Sequence, residues 1–343
     1  MTTPKVPEAL DTAVRRGHRF LLTSHVNPDG DAIGSAIGLS RVLRRLGKGA
    51  TIWNHDATPR IYQSIPGSRL IHVGATPPGG FPELFDAAIV LECPSPERTG
   101  LADRLGQITV INIDHHLGNE HYGAVNWVET AAPAVGEMVF RLSRALNVEL
   151  DRDAANALYL TLVTDTGGFR FSNTTPETFE AAAALVRAGA SPETVSAWIY
   201  ESNPAAVMRL LGELLATLEL HDEGRVATVR ITREMMERAG AEPGDSEGLI
   251  DYPRSIAGVR AVALFRELDG GEHKVSLRSR GGVNVERIAR QHGGGGHHNA
   301  AGFSSSAQKD REQLTAETIR ALAAAIAEAP EQAAAPEDGE TES

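Results

Sequence analysis

The residues of this chain that could do chemistry are a small set of acids and histidines. His25, Asp29 and Asp31 lie in SHVNPDGDAIGS (24–35), and Glu92 ends the apolar run FDAAIVLE (85–92). Asp114 closes ITVINID (108–114) and is followed by His115 and His116, while Asp165 follows the apolar LYLTLV (158–163). Two histidines (His25, His115) and four carboxylates (Asp29, Asp31, Glu92, Asp165) form a donor set for divalent cations. Four acids buried together without a cation would repel one another, and their pKa values would rise. An oxygen-rich set with some imidazole and no thiolate favours manganese or magnesium over structural zinc. Six ligands and a bridging water suffice for two metals about 3.5–4 Å apart. Singly, each cluster has a plainer use: Asp29 and Asp31 can cap the following helix, Glu92 can be a surface acid, and Asp114–His116 can be a loop.

The elements that must bring these residues together are legible as alternating strands and helices. RFLLTSH (19–25), ATIWN (50–54), FDAAIVLE and ITVINID read as short buried strands, and DAIGSAIGLSRVLRRLG (31–47) as a helix. The alternation predicts an α/β fold: a doubly wound parallel sheet with helices on both faces. The carboxyl ends of parallel strands share one crevice, where ligands bind. Three of these strands run into His25, Glu92 and Asp114–His116, so residues far apart in sequence are expected to converge there. Segments 133–147, 151–164, 176–189 and 191–220 read as mostly helical. RVATVRI (225–231), VRAVALFREL (259–268) and HKVSLRS (273–279) then read as strands, with helices over 284–292 and 310–327. The expected organisation is a first domain over 1–190, a helical connector over 191–220, and a smaller α/β domain over 221–327. An acidic disordered tail is expected over 328–343.

With 343 residues, 41% hydrophobic and 23% charged, the chain has the composition of a globular protein. Its 33 Lys and Arg against 45 Asp and Glu leave a net charge of −12, which disfavours a grip on long duplex nucleic acid. Cys93 is the single cysteine, which excludes an intrachain disulfide and a Cys-rich zinc site; it reads as a small apolar residue at a strand end. No apolar run reaches the ~20 residues that cross a bilayer, and the first residues lack a long apolar segment. No membrane partner is expected, and the expected location is the cytoplasm.

GGGGHHNAAG (293–302) calls for its own reading. Gly293, Gly294, Gly295 and Gly296 would free backbone N–H groups to approach an anion. No Gly-Lys-Ser/Thr follows, so this is not a nucleotide-binding P-loop. A flexible linker is the plainer alternative. Arg278, in VSLRS (275–279), suits bidentate phosphate binding, or else a surface ion pair. Arg98, in PERTG just after Glu92, can reach phosphate or form a structural ion pair.

Taken together, SHVNPDGDAIGS, IDHH (113–116), VTDTGGFRFSN (163–173), VSLRS and GGGGHHNAAG resemble the DHH phosphoesterase superfamily. Within it they resemble the NrnA-like nanoRNases, which carry a DHH-associated C-terminal domain and also act on 3′-phosphoadenosine 5′-phosphate (pAp). The resemblance spans about residues 5–325. It implies two manganese ions, with magnesium or cobalt as substitutes. His25 and Asp29 would hold one ion, and Asp31, His115 and Asp165 the other. The bridging position, an aspartate in the family, is Glu92 here. Asp114 would orient the histidines, and His116 would face the scissile phosphate. His297, with the glycine run, would grip the substrate's terminal phosphate or nucleotide, and Arg278 would be a second phosphate clamp. The implied substrates are short single-stranded RNA or DNA oligonucleotides, dinucleotides and pAp, with a homodimer as a candidate assembly. Cyclic dinucleotides such as c-di-AMP, and its linear form pApA, are the alternative substrates. A RecJ-like single-strand exonuclease and a non-catalytic nucleotide sensor are the rival activities.

Overall fold

The computed structural model describes residues 5–306 and 310–329. The chain divides into two compact units, Met1–Ser202 and Asn203–Ser343. The first contains α1 (Glu8–Arg16), β1 (Arg19–Thr23), α2 (Gly30–Arg45), β2 (Gly49–Asn54), β3 (His72–Val73), β4 (Ala87–Leu91), α3 (Ala102–Leu105), β5 (Val110–Asp114), β6 (Val125–Val128), α4 (Val135–Ala145), α5 (Arg152–Asp165), α6 (Pro176–Arg187) and α7 (Pro192–Tyr200). Among the described residues its six strands form one parallel sheet in the order β3-β2-β1-β4-β5-β6. The winding direction reverses between β1 and β4, which opens a crevice at their carboxyl ends. Register places Thr23 beside Val90 and Leu91 beside Ile113. Continued by one or two residues, it brings His25, Glu92 and Asp114 level with one another.

Side-chain alternation along these strands feeds two apolar layers. Phe20, Leu22, Ile89 and Leu91 join the large core against α2, α4 and α5. Leu21, Ala88 and Val90 face a smaller cluster with Trp53, Phe85, Leu101 and Leu105. The second face therefore carries the short α3 and the segment before β4, less helix than the first face. Strand β6 did not stand out in the sequence, because it has four residues and is mostly half-buried, which leaves a weak period.

The seam between α2 and α5 is glycine-built. A Cβ on Gly34 would lie 2.5 Å from the Ala157 carbonyl oxygen, and Gly30 and Gly38 abut Thr164 and Leu158 equally closely. Spaced four apart, these glycines lie on one helix face and let the two backbones touch. The start of α2 carries Asp31 and the end of α5 carries Asp165, so this contact sets the distance between two candidate ligands.

The second unit contains α8 (Ala205–Leu215), β7 (Glu219–His221), β8 (Val226–Ile231), α9 (Arg233–Ala239), α10 (Asp251–Arg254), β9 (Ala261–Glu267), β10 (His273–Ser279), α11 (Val285–Gln291), β11 (Gly295–His297), β12 (Ala300–Ser305) and α12 (Arg311–Glu328). Its described strands run β11-β12-β10-β9-β8-β7, antiparallel except for the β8–β9 pair. Along β9, Ala261, Ala263 and Phe265 pack with α11 and α12, while Val262 and Leu264 pack with α8 and α9. The stretch 191–220, expected as one connector, is split by burial: Val195 of α7 belongs to the first core, and Leu210 and Leu214 of α8 to one in the second unit. Residues 330–343 of the expected acidic tail lie outside the described residues.

Gly34→Ala is expected to lower stability by about 1–3 kcal/mol, because the added methyl meets backbone rather than a side chain that can rotate away. Thermal and urea denaturation check this. An unchanged melting temperature would show that the seam has slack.

Candidate metal centre

Each candidate ligand sits where an element ends. Asp29 caps α2, its Oδ1 accepting the Ala32 N–H at 3.0 Å. Asp31, in the first turn, is fully buried. Its Oδ2 accepts the Val135 N–H (2.6 Å), and its Oδ1 accepts the Gly136 N–H (3.0 Å) and the Ser35 hydroxyl (2.8 Å). Two of these donors belong to the first turn of α4, where helix N–H groups lack internal partners. Glu92 leaves β4 with φ +53, a left-handed conformation that costs a non-glycine residue roughly 1–2 kcal/mol. Such strain is held where surrounding structure over-determines it, often at functional sites.

The side chains form three overlapping groups with donor atoms within 4.8 Å of one another: His25, Asp29 and Glu92; Asp31, His115 and Asp165; and Glu92, His115 and His116. Glu92 turns its two oxygens to different neighbours. Oε2 lies 2.5 Å from His25 Nε2, while Oε1 lies 3.7 Å from His115 Nε2 and 3.4 Å from His116 Nε2. His115 Nε2 is also 3.4 Å from Asp165 Oδ2. The two candidate ligand histidines expose the same nitrogen because Nδ1 is occupied: His25 Nδ1 meets the Val26 carbonyl (2.8 Å) and His115 Nδ1 the Ala132 carbonyl (3.1 Å). A metal-ligating imidazole is commonly oriented by such a bond on its far nitrogen.

Electrostatics show what the group lacks. Burial alone would lower the histidine pKa values, but Glu92 and its acidic neighbours raise His25 to about 9 and His115 to about 10. Burial would raise Glu92, yet contacts with His115 and His25 hold it well below the usual carboxylate range. Burial dominates for Asp31, lifting it to about 6 despite the pull of His115, and burial with the neighbouring acids raises Asp165. Two imidazolium charges thus stand in for missing positive charge without meeting all of the demand. Glu92 Oε2 is buried with no hydrogen-bond partner among the described residues, although His25 Nε2 is close by. An orphaned carboxylate oxygen facing an imidazole nitrogen, with further carboxylates beside them, fits a shared divalent cation.

Asp114 is fully buried and its pKa is lowered. Expected to orient the histidines, it meets one of them here: Oδ1 lies 2.8 Å from His116 Nδ1, while His115 is held by a backbone carbonyl. Arg98 runs beside the His25 loop, its carbonyl accepting the Val26 N–H at 2.7 Å; its half-buried side chain forms no ion pair among the described residues. Cys93 is fully buried, its Sγ donates to the Ser95 carbonyl at 3.1 Å, and burial pushes its thiol up to about 12, in keeping with a packing residue. Sequence reasoning missed Asn112, Asn119, Ser35 and the Ala132–Gly136 backbone. One signal was available: Asn112 is the odd polar residue inside the buried strand VINID.

In the second unit the glycine run departs from expectation. The Gly293 and Gly294 N–H groups are not free for an anion: they donate to the Arg290 and Ala289 carbonyls at the end of α11. A Cβ on Gly294 would lie 2.2 Å from the Gly302 oxygen, and one on Gly296 2.5 Å from the Ala300 oxygen. These two glycines allow the tight β11–β12 pairing. Gly295 opens β11, and the side chain of His297, also on β11, lies outside what is described. Arg278 donates Nη1–H to its neighbour's carbonyl, Leu277 O, at 3.0 Å and forms no ion pair among the described residues. Burial lowers its pKa, with Asp251 and Arg254 close enough to matter.

Two outcomes follow from these charges. A raised histidine pKa stabilises the fold fully below pH 6.5, and that stabilisation is lost as pH rises through about 9 and about 10. Asp31, raised from 3.8 to about 6, acts in the same direction at lower pH. The metal-free protein is therefore expected to lose melting temperature between pH 6.5 and 10, with manganese stabilising it most at the alkaline end, where protons no longer compete for Nε2. Thermal scans with and without manganese check this, and a metal-free stability that climbs with pH would contradict it. Glu92→Gln is expected to weaken manganese binding by more than ~tenfold, and Glu92→Asp to retain it. Titration calorimetry on both variants decides, and wild-type affinity in the glutamine variant would remove Glu92 from the ligand set.

Comparison with known proteins places the chain in a family. Residues 19–162 match the DHH family N-terminal domain, and residues 223–325 match the DHHA1 domain. The chain is 37% identical over 283 residues to the bifunctional oligoribonuclease and PAP phosphatase NrnA of Thermus thermophilus, covering 82% of each. It is 29% identical to the Bacillus subtilis protein of the same name, covering 87% of this chain and 93% of the relative. The crystal structure of an exopolyphosphatase-related protein from Bacteroides fragilis superposes with a TM-score of 0.84 at 27% identity, over 92% of this chain and 94% of that one. With both domains matched in order and more than a third of aligned residues shared with a relative over most of both lengths, this chain belongs to the DHH family, as a member that carries a DHHA1 domain.

Proposed function

We infer that this protein is a manganese-dependent phosphoesterase that hydrolyses very short RNA, dinucleotides included, to mononucleotides and also dephosphorylates pAp. The observation that carries the reading is Glu92, whose two oxygens face two separate ligand groups at the switch point of the sheet. The activities for which the Thermus and Bacillus relatives are named supply the substrate class. Their extent of similarity favours it over cyclic dinucleotides as the main substrate.

In this reading His25, Asp29 and Glu92 would hold one cation, and Asp31, His115 and Asp165, with Glu92, the other. When bound, two such cations supply a hydrolytic nucleophile near neutral pH and neutralise charge on phosphate oxygens. The chain's own residues supply orientation. His25 and His115 keep Nε2 inward through their backbone bonds, and Asp31 is fixed by three donors. His116, braced by Asp114, presents Nε2 beside Glu92, where it can stabilise charge on the scissile phosphate. Arg98, in PERTG just after Glu92, would contact phosphate. In the second unit Arg278 and His297 would contact substrate phosphate or nucleotide. The glycine run serves that role by letting β11 pair tightly, not by offering the N–H groups of Gly293 and Gly294.

The test is a panel with added manganese: an RNA dinucleotide, a heptanucleotide, a strand of two dozen nucleotides, pAp, pApA and c-di-AMP. Higher kcat/KM on the dinucleotide than on the long strand, together with turnover of pAp, is the expected result. Preference for the long strand would replace this reading with a RecJ-like exonuclease, and preference for c-di-AMP with a cyclic-dinucleotide phosphodiesterase. Metal binding with no turnover of any substrate would make the protein a sensor.

A further inference from the structure

Behind the His115–His116 pair runs a chain of side-chain hydrogen bonds that no metal-binding role requires. Asn119 Nδ2 lies 2.6 Å from Asp114 Oδ2 and 2.7 Å from Asn112 Oδ1, and its Oδ1 accepts the His121 backbone N–H at 2.7 Å. Asn112 Nδ2 lies 3.2 Å from the carbonyl oxygens of Val90 and Cys93 and 3.1 Å from the Tyr122 hydroxyl. That hydroxyl donates to the Cys93 carbonyl at 3.0 Å. The network is therefore anchored on the backbone of β4 and of the residue after Glu92. It ends on the carboxylate that meets His116.

The chain has one polarity. Carbonyl oxygens only accept, so Asn112 must turn its amide NH2 toward Val90 and Cys93 and its Oδ1 toward Asn119. A backbone N–H only donates, so Asn119 must turn Oδ1 toward His121 and its NH2 toward Asp114 and Asn112. Asp114 then accepts at Oδ2, and its Oδ1 accepts a hydrogen bond from His116 Nδ1–H at 2.8 Å. Nε2 of His116 is left facing Glu92 Oε1 at 3.4 Å. A residue needed only to shape the 117–121 loop would use Asn119 Oδ1 alone. The two donated bonds serve Asp114 and Asn112 instead, and Asn112 is a fully buried amide whose hydrogen bonds tie Asn119 to the backbone of Val90 and Cys93.

We propose that Asn119 is a positioning residue for His116: acting through Asp114, it fixes the proton on Nδ1 and aims Nε2 into the crevice, the pose in which His116 contributes to phosphoester hydrolysis. The proposal rests on the function inferred above for what His116 acts upon. The hydrogen-bond chain itself can be read without any turnover.

The experiment compares wild type with Asn119→Ala, Asn119→Asp and Tyr122→Phe. Asn119→Asp keeps the acceptor for His121 but removes both donated bonds. On the manganese-loaded enzyme with the RNA dinucleotide, both Asn119 variants are expected to lose ~10–100-fold in kcat, with KM within threefold of wild type and manganese content unchanged. In nitrogen-15 histidine spectra of the magnesium-loaded proteins, the Nδ1–H signature of His116 is expected in wild type and lost or averaged in both. Tyr122→Phe leaves Asn119 in place and is expected to cost less than tenfold in kcat, with a partial spectral change; it carries the test if a position-119 variant does not fold. Wild-type kcat in Asn119→Asp would reduce Asn119 to a loop cap and overturn the proposal. So would loss of manganese from Asn119→Ala, or an unchanged His116 spectrum in the variants. If wild type turns over none of the substrates, the inferred function fails, while the His116 spectra still decide whether Asn119 sets the tautomer.

Discussion

Negative charge gathered where water is scarce is the constraint on which the rest of the first unit depends. Asp31 and Glu92 are buried, Asp165 is partly buried, and Asp29 stands at the opening. Two like charges 4 Å apart cost about 4 kcal/mol at an effective dielectric of 20, so the cluster needs cations. Without metal, the imidazolium forms of His25 and His115 supply part of the answer. The unmet remainder shows as the raised pKa values of Asp31 and Asp165. Three hydrogen bonds to Asp31 do not reverse that shift, which puts desolvation ahead of hydrogen bonding at this position. The left-handed backbone of Glu92 and the glycine seam between α2 and α5 are further costs accepted around the same cluster.

Precision at the centre comes from using rigid ends of elements. The parallel register of β1, β4 and β5 makes His25, Glu92 and Asp114 neighbours, while the seam of two helices sets Asp31 against Asp165. His25 and His115 present Nε2 to the acids because a backbone carbonyl holds Nδ1, so their orientation comes from main-chain geometry. His116 differs, being held by a side chain, Asp114, which Asn119 braces in turn. The orientations of His25 and His115 and that of His116 are thus set by two separate systems of bonds meeting within the DHH segment.

The second unit illustrates how a suggestive composition can be used for packing. Four consecutive glycines suggest backbone amides open to an anion, yet Gly293 and Gly294 close the end of α11, and Gly294 and Gly296 admit the backbone of β12 at distances no Cβ allows. Arg278 is half-buried without an ion pair among the described residues, on a strand whose alternate side chains Val275 and Leu277 lie in the core. The apolar partners hold the strand, and the guanidinium is left to serve something other than an internal carboxylate.

The sequence by itself determined the alternation of elements, the α/β class and the residues of the centre, because each signal is local. Apolar runs of four to eight residues mark buried strands, and an acid or histidine at the end of such a run is visible without knowing its neighbours. It also marked Glu92, Asp114, His115 and His116 as strand-end residues before any sheet order was known. Only the tertiary structure decided which of them meet. That Asp114 serves His116 and not His115, that Asn119 and Asn112 complete the chain behind it, and that the α4 backbone holds Asp31 all depend on contacts between segments up to 105 residues apart. That the Gly293 and Gly294 amides are closed off was invisible for the same reason. Whether an amide is free depends on which carbonyl comes within hydrogen-bond reach, and no local pattern of residues encodes that distance.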